Sequence, residues 1–320
     1  MVTSNLIRFR TLKLITNCDL DLHISAVYHA GKDNRSKHQV PEKTSDLDYE
    51  PKTFINKKGQ INSYWWDGKP NFGDAIGPYL IEKITGKSAV NVRGDRSAAA
   101  IFSVGSIITM MDRKGCVIWG SGLIGSLDEK QKERLTIVAP NVRAVRGKLT
   151  KKILEDDLGW EIPNVFGDPA LLLPDYFKPD LTEKNNIVVC PHFSHKSSFS
   201  KLAHSDNIKI IDVADPMESV VSTIASSKVC ISSSLHGIVV AQAYGVPWVW
   251  LHFEGNHLSG SDLKFQDFFS TLHSFKGGVY EVPTNSTITQ DTLFNIAGLS
   301  VLPKLSIDLE ELRKAFPTLS

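Results

Sequence analysis

Apolar and polar positions along the chain fall into two successive stretches of the same design. In the first, the apolar run opening at Ile61 reads as a strand over 61–66. Positions 72–85 then carry Ile76, Tyr79, Leu80 and Ile84 at helical spacing and stop at Gly86. Further strands are expected at 101–108 and 116–119, followed by a basic helix over 147–158 that Gly159 closes. After the proline-bounded stretch 169–179 the pattern restarts, with strands at 186–190, 209–213, 229–232 and 248–251 and helices at 216–226 and 238–244. Short β-rich runs alternating with helices build parallel sheets covered on both faces. The fold class expected is therefore α/β, with two Rossmann-like parallel-sheet domains, 61–175 and 176–320, facing each other across a cleft. Positions 1–60 show no apolar period, and 31–58 is dense in Lys, Asp, Ser, Asn and Pro; this part is expected to be a polar N-terminal extension.

Composition narrows the class of partner. With 320 residues, 42% of them hydrophobic, the chain can bury a large core, and 36 Lys plus Arg against 35 Asp plus Glu leave no basic surface for nucleic acid. An anion site must then be local. No apolar run reaches the ~18 residues of a membrane span, and Arg8, Arg10 and Lys13 break the opening stretch. A cytoplasmic chain is expected, without a membrane span, though compatible with peripheral association. Cys18, Cys116, Cys190 and Cys230 stand alone, three of them in strand-like runs, which suits reduced thiols and neither a disulfide framework nor paired zinc ligands.

Ligands of open α/β sheets sit beyond the carboxyl ends of strands, so the strand-to-helix loops come first. Ser232, Ser233, Ser234 and His236 follow the strand at 229–232 and precede an apolar helix, whose free N–H groups and dipole attract phosphate or carboxylate. An N-cap serine with a satisfied histidine would read the same way. Charge favours the anion: 229–261 holds no Lys or Arg, whereas 143–152 holds Arg143, Arg146, Lys148, Lys151 and Lys152 and no acid. The two arginines can fork onto oxyanions, while the lysines suit a solvated helix face. In the first such loop, Asn71 and Asp74 can cap the helix or orient a sugar, and Gly73 permits close approach. Gly120, Gly122 and Gly125 match a dinucleotide fingerprint, but the stretch after them is very polar and no acid stands near 140 for a ribose. His192 with His195, and His252 with Glu254 and His257, are metal-ligand types outside any recognisable helix, so no metal is assigned. His257, near Asp262, Lys264 and Asp267, remains a candidate cleft group.

In five ordered segments the sequence resembles the polysaccharide pyruvyl transferase family: NFGDAIGPYL at 71–80, VIWGSG at 117–122, VRAVRGKLT at 142–150, FGDPALLL at 166–173 and SLHGIVVAQAYGVPW at 234–248. The resemblance spans about 61–270. It implies a GT-B-like fold and transfer of a pyruvyl group from phosphoenolpyruvate to two hydroxyls of a saccharide or lipid-linked oligosaccharide, giving a cyclic ketal. Phosphoenolpyruvate is then a co-substrate, and no further cofactor is expected. The resemblance also puts Arg146 and His236 in the donor site. Many members carry Arg before the Leu-His pair where this chain has Ser234, so Arg143 or Lys264 would replace it. The expected site is thus His236 as general acid and Asp74 as base, with Arg143, Arg146, Ser232, Ser233, Ser234 and Lys264 on the donor and Asn71, Gly73 and His257 on the acceptor. Two other readings share the fold: a nucleotide-sugar glycosyltransferase with His236 as base and the Gly120 loop at the diphosphate, and a non-catalytic carbohydrate-binding relative, which Ser234 favours.

Overall fold

The computed structural model describes residues 54–180, 185–202, 207–254, 262–284 and 286–319. Positions 1–53, most of the expected N-terminal extension and Cys18 with it, lie outside the described residues, as does His257.

The first half is a five-stranded sheet of β1 (Ile61–Tyr64), β2 (Ala89–Asn91), β3 (Ile101–Phe102), β4 (Val117–Trp119) and β5 (Asn141–Ala144), parallel throughout, in the order β2-β1-β3-β4-β5. Its helices are α1 (Phe72–Thr85), α2 (Glu129–Val138) and α3 (Lys148–Leu158). A short α4 (Leu173–Tyr176) leads into the second half. There β6 (Asn185–Cys190), β7 (Ile208–Ile210), β8 (Ser227–Ser232), β9 (Trp248–Phe253) and β10 (Val279–Val282) pair in parallel in the order β10-β9-β8-β6-β7. Helices α5 (Met217–Ala225), α6 (Leu235–Ala243), α7 (Leu263–Phe269) and α8 (Gln290–Ala297) complete it. The two sheets repeat one topology, in which the second strand flanks the first and the third lies on its other side. The chain is an α/β protein of two Rossmann-like units.

Helix α1 is specified at both ends. The Asn71 side chain accepts from Gly73 N at its start, and Gly86 adopts the left-handed conformation (φ 66°) at its end. Its buried face, Phe72, Ile76 and Leu80, enters a core made largely by the second half, with Val188, Val220, Val239 and Trp248. The return crossing comes from the C-terminal helix α9 (Leu309–Lys314): Leu312 packs with Ile61 and Trp119 of the first sheet, and Trp119 Nε1 donates to Leu312 O at 2.8 Å.

Several elements differ from the sequence reading. The strand expected at 101–108 ends at Phe102, since the backbone turns at Gly105 (φ 105°) and resumes as a 3-10 turn at Ile108–Met110. The helix expected from 238 begins at Leu235, which draws His236 into its first turn. The polar stretch after Gly125 forms α2, held by a capping box between Asp128 and Gln131, with Leu135 and Val138 as its buried residues.

Candidate functional site

In both sheets the strand order reverses beside the first strand, between β1 and β3 and between β6 and β8. The loops after these four strands are therefore splayed apart at their carboxyl ends, where open α/β sheets place ligands. In this protein the four loops meet. Asp74 Oδ1, from the first turn of α1 after the β1 loop, lies where a Cβ on Gly105 of the β3 loop would meet it at 3.7 Å. Gly73 stands so close to His236 that a Cβ there would fall on the ring Nδ1, and Phe72 presents its ring edge-on to His236 with centroids 6.5 Å apart. From the β6 loop, His192 N and His195 Nδ1 both reach Ser233 Oγ at 3.0 Å. Phe72 N donates to Val213 O at 2.8 Å, a backbone bond that ties the two halves beside the site.

Burial sets the protonation of the groups gathered there. Desolvation raises the Asp74 carboxyl to about 7, against a partial pull downward by the Lys264 ammonium. Lys264, half-buried, itself falls to about 8, through desolvation first and then the charge of Arg146. The same two effects, burial first and then the charges of Arg146 and Lys264, push His236 down to about 3 and keep its imidazole neutral. Burial lifts Asp168 to about 6, opposed by the bond from Ala170 N and by the charge of Arg146. The site thus holds a carboxyl that titrates near neutrality, a neutral imidazole and a cation. Among the described residues, no carboxylate lies within salt-bridge reach of Lys264.

Arg146 plays a different part from the one its position suggests. It is fully buried: Nε donates to Asp267 Oδ2 at 2.9 Å, one terminal nitrogen to Ser106 Oγ at 2.6 Å and the other to Leu123 O at 2.7 Å. It lies beneath the loops and contributes its charge from there, whereas Lys264 is a cation whose charge acts on both Asp74 and His236. Arg143 is half-buried on β5 and is not among the charges that shift Asp74, His236, Lys264 or Asp168.

The hydroxyls of Ser232 and Ser233 are also committed internally. Ser232 Oγ lies 2.8 Å from both Cys190 O and Ser234 O and accepts from Ser234 N, while Ser233 Oγ binds the β6 loop. Ser234 is the N-cap of α6 without a side-chain capping bond. What this loop offers an anion is the first-turn N–H groups of α6. Asn71 is half-buried and its oxygen caps α1, so its placement serves the helix that carries Gly73 and Asp74.

The other sequence candidates have structural occupations. A Cβ at Gly120 would strike Pro169, and one at Gly122 would strike the Arg146 guanidinium, so these glycines serve close packing. His195 is buried and stacks on Phe253 at 4.1 Å; His252 Nε2 pairs with Asp262 at 3.0 Å. Among the described residues no three His, Cys, Asp or Glu side chains stand together as a metal site. Cys190 and Cys230 are buried thiols, and burial raises the first to about 12.

Two carboxylates have roles that the sequence reading did not assign. Asp267 of α7 is fully buried and receives bonds from Arg146 Nε, Thr150 N and Thr150 Oγ1. Asp168 is fully buried, accepts from Ala170 N through Oδ1 at 3.0 Å, and holds Oδ2 3.7 Å from His236 Nε2. The FGDPALLL segment flagged Asp168 only as part of a resemblance; nothing local marks Asp267.

Comparison with known proteins places the chain among relatives. The chain is 28% identical over 211 residues to an uncharacterized protein of Acanthamoeba polyphaga mimivirus, a match covering 63% of this chain and 71% of the relative. The family model described as polysaccharide pyruvyl transferase matches residues 43–252, a span that takes in Asp74, Arg146, Asp168 and His236, and the chain belongs to that family of transferases.

Proposed function

We propose that this chain transfers the pyruvyl group of phosphoenolpyruvate to two hydroxyls of a saccharide, forming a cyclic ketal and releasing phosphate. The observation that carries the reading is the meeting of the Gly73–Asp74 turn with His236 and Gly105, where the Asp74 carboxyl, raised to about 7, lies in the field of the Lys264 ammonium. The reaction needs a group that can give a proton to carbon at neutral pH and take one back, and an ordinary carboxylate, titrating near ~4, is too weakly protonated for it. The donor's phosphate and carboxylate fit Lys264 and the first turn of α6, with the charge of Arg146 behind them.

Asp74 protonates the methylene carbon with the electron pair of the enol double bond, and positive charge develops on the carbon that bears phosphate. One hydroxyl adds to that carbon and passes its proton to His236. The bond from carbon to the phosphate oxygen then breaks, the electron pair leaving with phosphate, which takes the proton from His236. The second hydroxyl closes the ketal and returns a proton to Asp74. Of the two hydroxyl protons, one replaces that delivered to the methyl carbon and one departs as hydrogen phosphate. Protonation of the carbon thereby falls to Asp74, because the buried imidazole is neutral before donor binds, while His236 keeps the acid role toward the departing phosphate.

The test is incubation of the full chain with phosphoenolpyruvate and a panel of oligosaccharides, in parallel with labelled nucleotide sugars. Phosphate release with a ketal methyl in the product NMR spectrum, carrying one deuterium in heavy water, is the expected result. Transfer from a nucleotide sugar with no phosphate release from phosphoenolpyruvate overturns it.

A further inference from the structure

The mechanism leaves two buried atoms unused, Asp168 Oδ2 and His236 Nε2. Both are closed to solvent and without a hydrogen-bond partner, and they face each other at 3.7 Å across the junction of the halves. Buried polar atoms are paired as a rule, and leaving such a bond unmade is costly. The opposite ring nitrogen, Nδ1, lies beside Gly73, where any side chain would cover it. One edge of the imidazole is thus turned to a carboxylate and the other is kept clear by a glycine.

We infer that Asp168 is a positioning residue that accepts a hydrogen bond from Nε2–H of His236 and so presents the Nδ1 lone pair to the substrate hydroxyl. An imidazole whose far nitrogen is held by a carboxylate keeps one tautomer and one orientation, and the carboxylate stabilises the imidazolium formed when the near nitrogen takes a proton. The other charged groups around the ring do not compete for Nε2. Arg146 is bound to Asp267, Ser106 and Leu123 O; Lys264 and Asp74 are the titrating groups of the site already described; and Asp267 is saturated by Arg146 and Thr150. Phe72 offers only a ring edge.

The substitution Asp168→Asn reports on this directly. Ala170 N requires an oxygen at the Oδ1 position, so the new amide must turn its NH2 group toward His236 Nε2. A donor there forces the proton to Nδ1. We expect 15N NMR of histidine-labelled full chain, with the His236 signals assigned by their loss in His236→Gln, to show Nε2–H in the wild type and Nδ1–H in the variant. The catalytic consequence, which rests on the transfer reading, is a kcat lowered about 10²- to 10⁴-fold with phosphoenolpyruvate affinity within about threefold. An Nδ1–H tautomer in the wild type, or an unchanged tautomer in a folded Asp168→Asn protein, overturns the inference. The wild-type spectrum decides even where the variant fails to fold. Because the tautomer is read without turnover, failure of the pyruvyl-transfer reading leaves a distinct signature: no phosphate release from a chain whose Nε2–H signal is in place.

Discussion

At the scale of single residues, the site trades stability for reactivity at Asp74. Its carboxyl titrates at about 7 in the folded chain because burial disfavours the charged form, whereas an unfolded carboxylate titrates near ~4. The folded state therefore binds this proton more tightly. The contribution to stability is complete below pH ~4 and is lost as pH rises through about 7. Asp74→Asn removes the partly desolvated charge, so the variant should melt above the wild type at pH 8, and the difference should shrink toward pH 5; parallel thermal melts check it. The same variant should lose about 10²- to 10⁴-fold in turnover, since an amide is far too weak an acid to give a proton to carbon near neutral pH. Lys264 makes the complementary case for donor binding. Its ammonium, held down to about 8, should lose affinity for phosphoenolpyruvate as pH rises through that value. Lys264→Met should abolish this pH dependence and weaken binding about 10- to 100-fold by calorimetry, the worth of one charge-assisted hydrogen bond. Binding by Lys264→Met at wild-type strength would remove the lysine from the donor site.

At the scale of elements, the junction between the halves is latched by α7 lying across the start of α3. The carboxylate of Asp267 accepts from Thr150 N in the first turn of α3 and from Arg146 Nε just before it, and Lys148 N donates to Ser270 Oγ at 2.9 Å. An acid at a helix N-terminus is favourable in any protein; here it arrives from the other half of the chain. Gly147 makes the approach possible, since a Cβ there would collide with the Asp267 carbonyl. Asp267→Ala leaves the Arg146 guanidinium buried without its countercharge and should cost ~3–5 kcal/mol, read from the denaturant midpoint at unchanged slope. The latch also shows what the sequence could not express. Helix α1 was readable to the residue because its signals are local: Asn71, Gly86 and apolar positions a turn apart. The start of α6 was not, because Ser234 caps it without a side-chain bond and the serine run before it has the composition of a loop. Strand β3 was overextended because Ile107 and Ile108 continue its apolar run past the turn at Gly105. Asp168 and Asp267 were missed for a different reason: each has its meaning in a partner from the opposite half, and a lone acid in a chain of balanced charge carries no such signal.

At the scale of the whole molecule, the two Rossmann-like units share a core. The buried face of α1, which begins in the first half, sits among Val188, Val220 and Val239 of the second, and α9, at the end of the chain, fills the first half's core around Trp119. The aromatic contact of Phe316 with Trp119, edge-on at 4.9 Å, extends that return crossing. Two units that merely touched would present a small polar interface and unfold one after the other. Here neither half closes its own core without a segment of the other, and the charged latch and the site loops lie along the same seam. The chain should consequently unfold in one cooperative transition, with calorimetric and van't Hoff enthalpies equal, wherever unfolding is reversible. Leu312→Ala, at a fully buried position of α9, should lower stability by ~2–5 kcal/mol and shift that single transition as a whole, although the side chain lies far along the sequence from the sheet it covers. Two resolved transitions in the wild type, or a Leu312→Ala thermogram in which one half melts early while the other keeps its midpoint, would refute the shared core. It would also mean that the site loops, drawn from both halves, are aligned by less than the packing around α1.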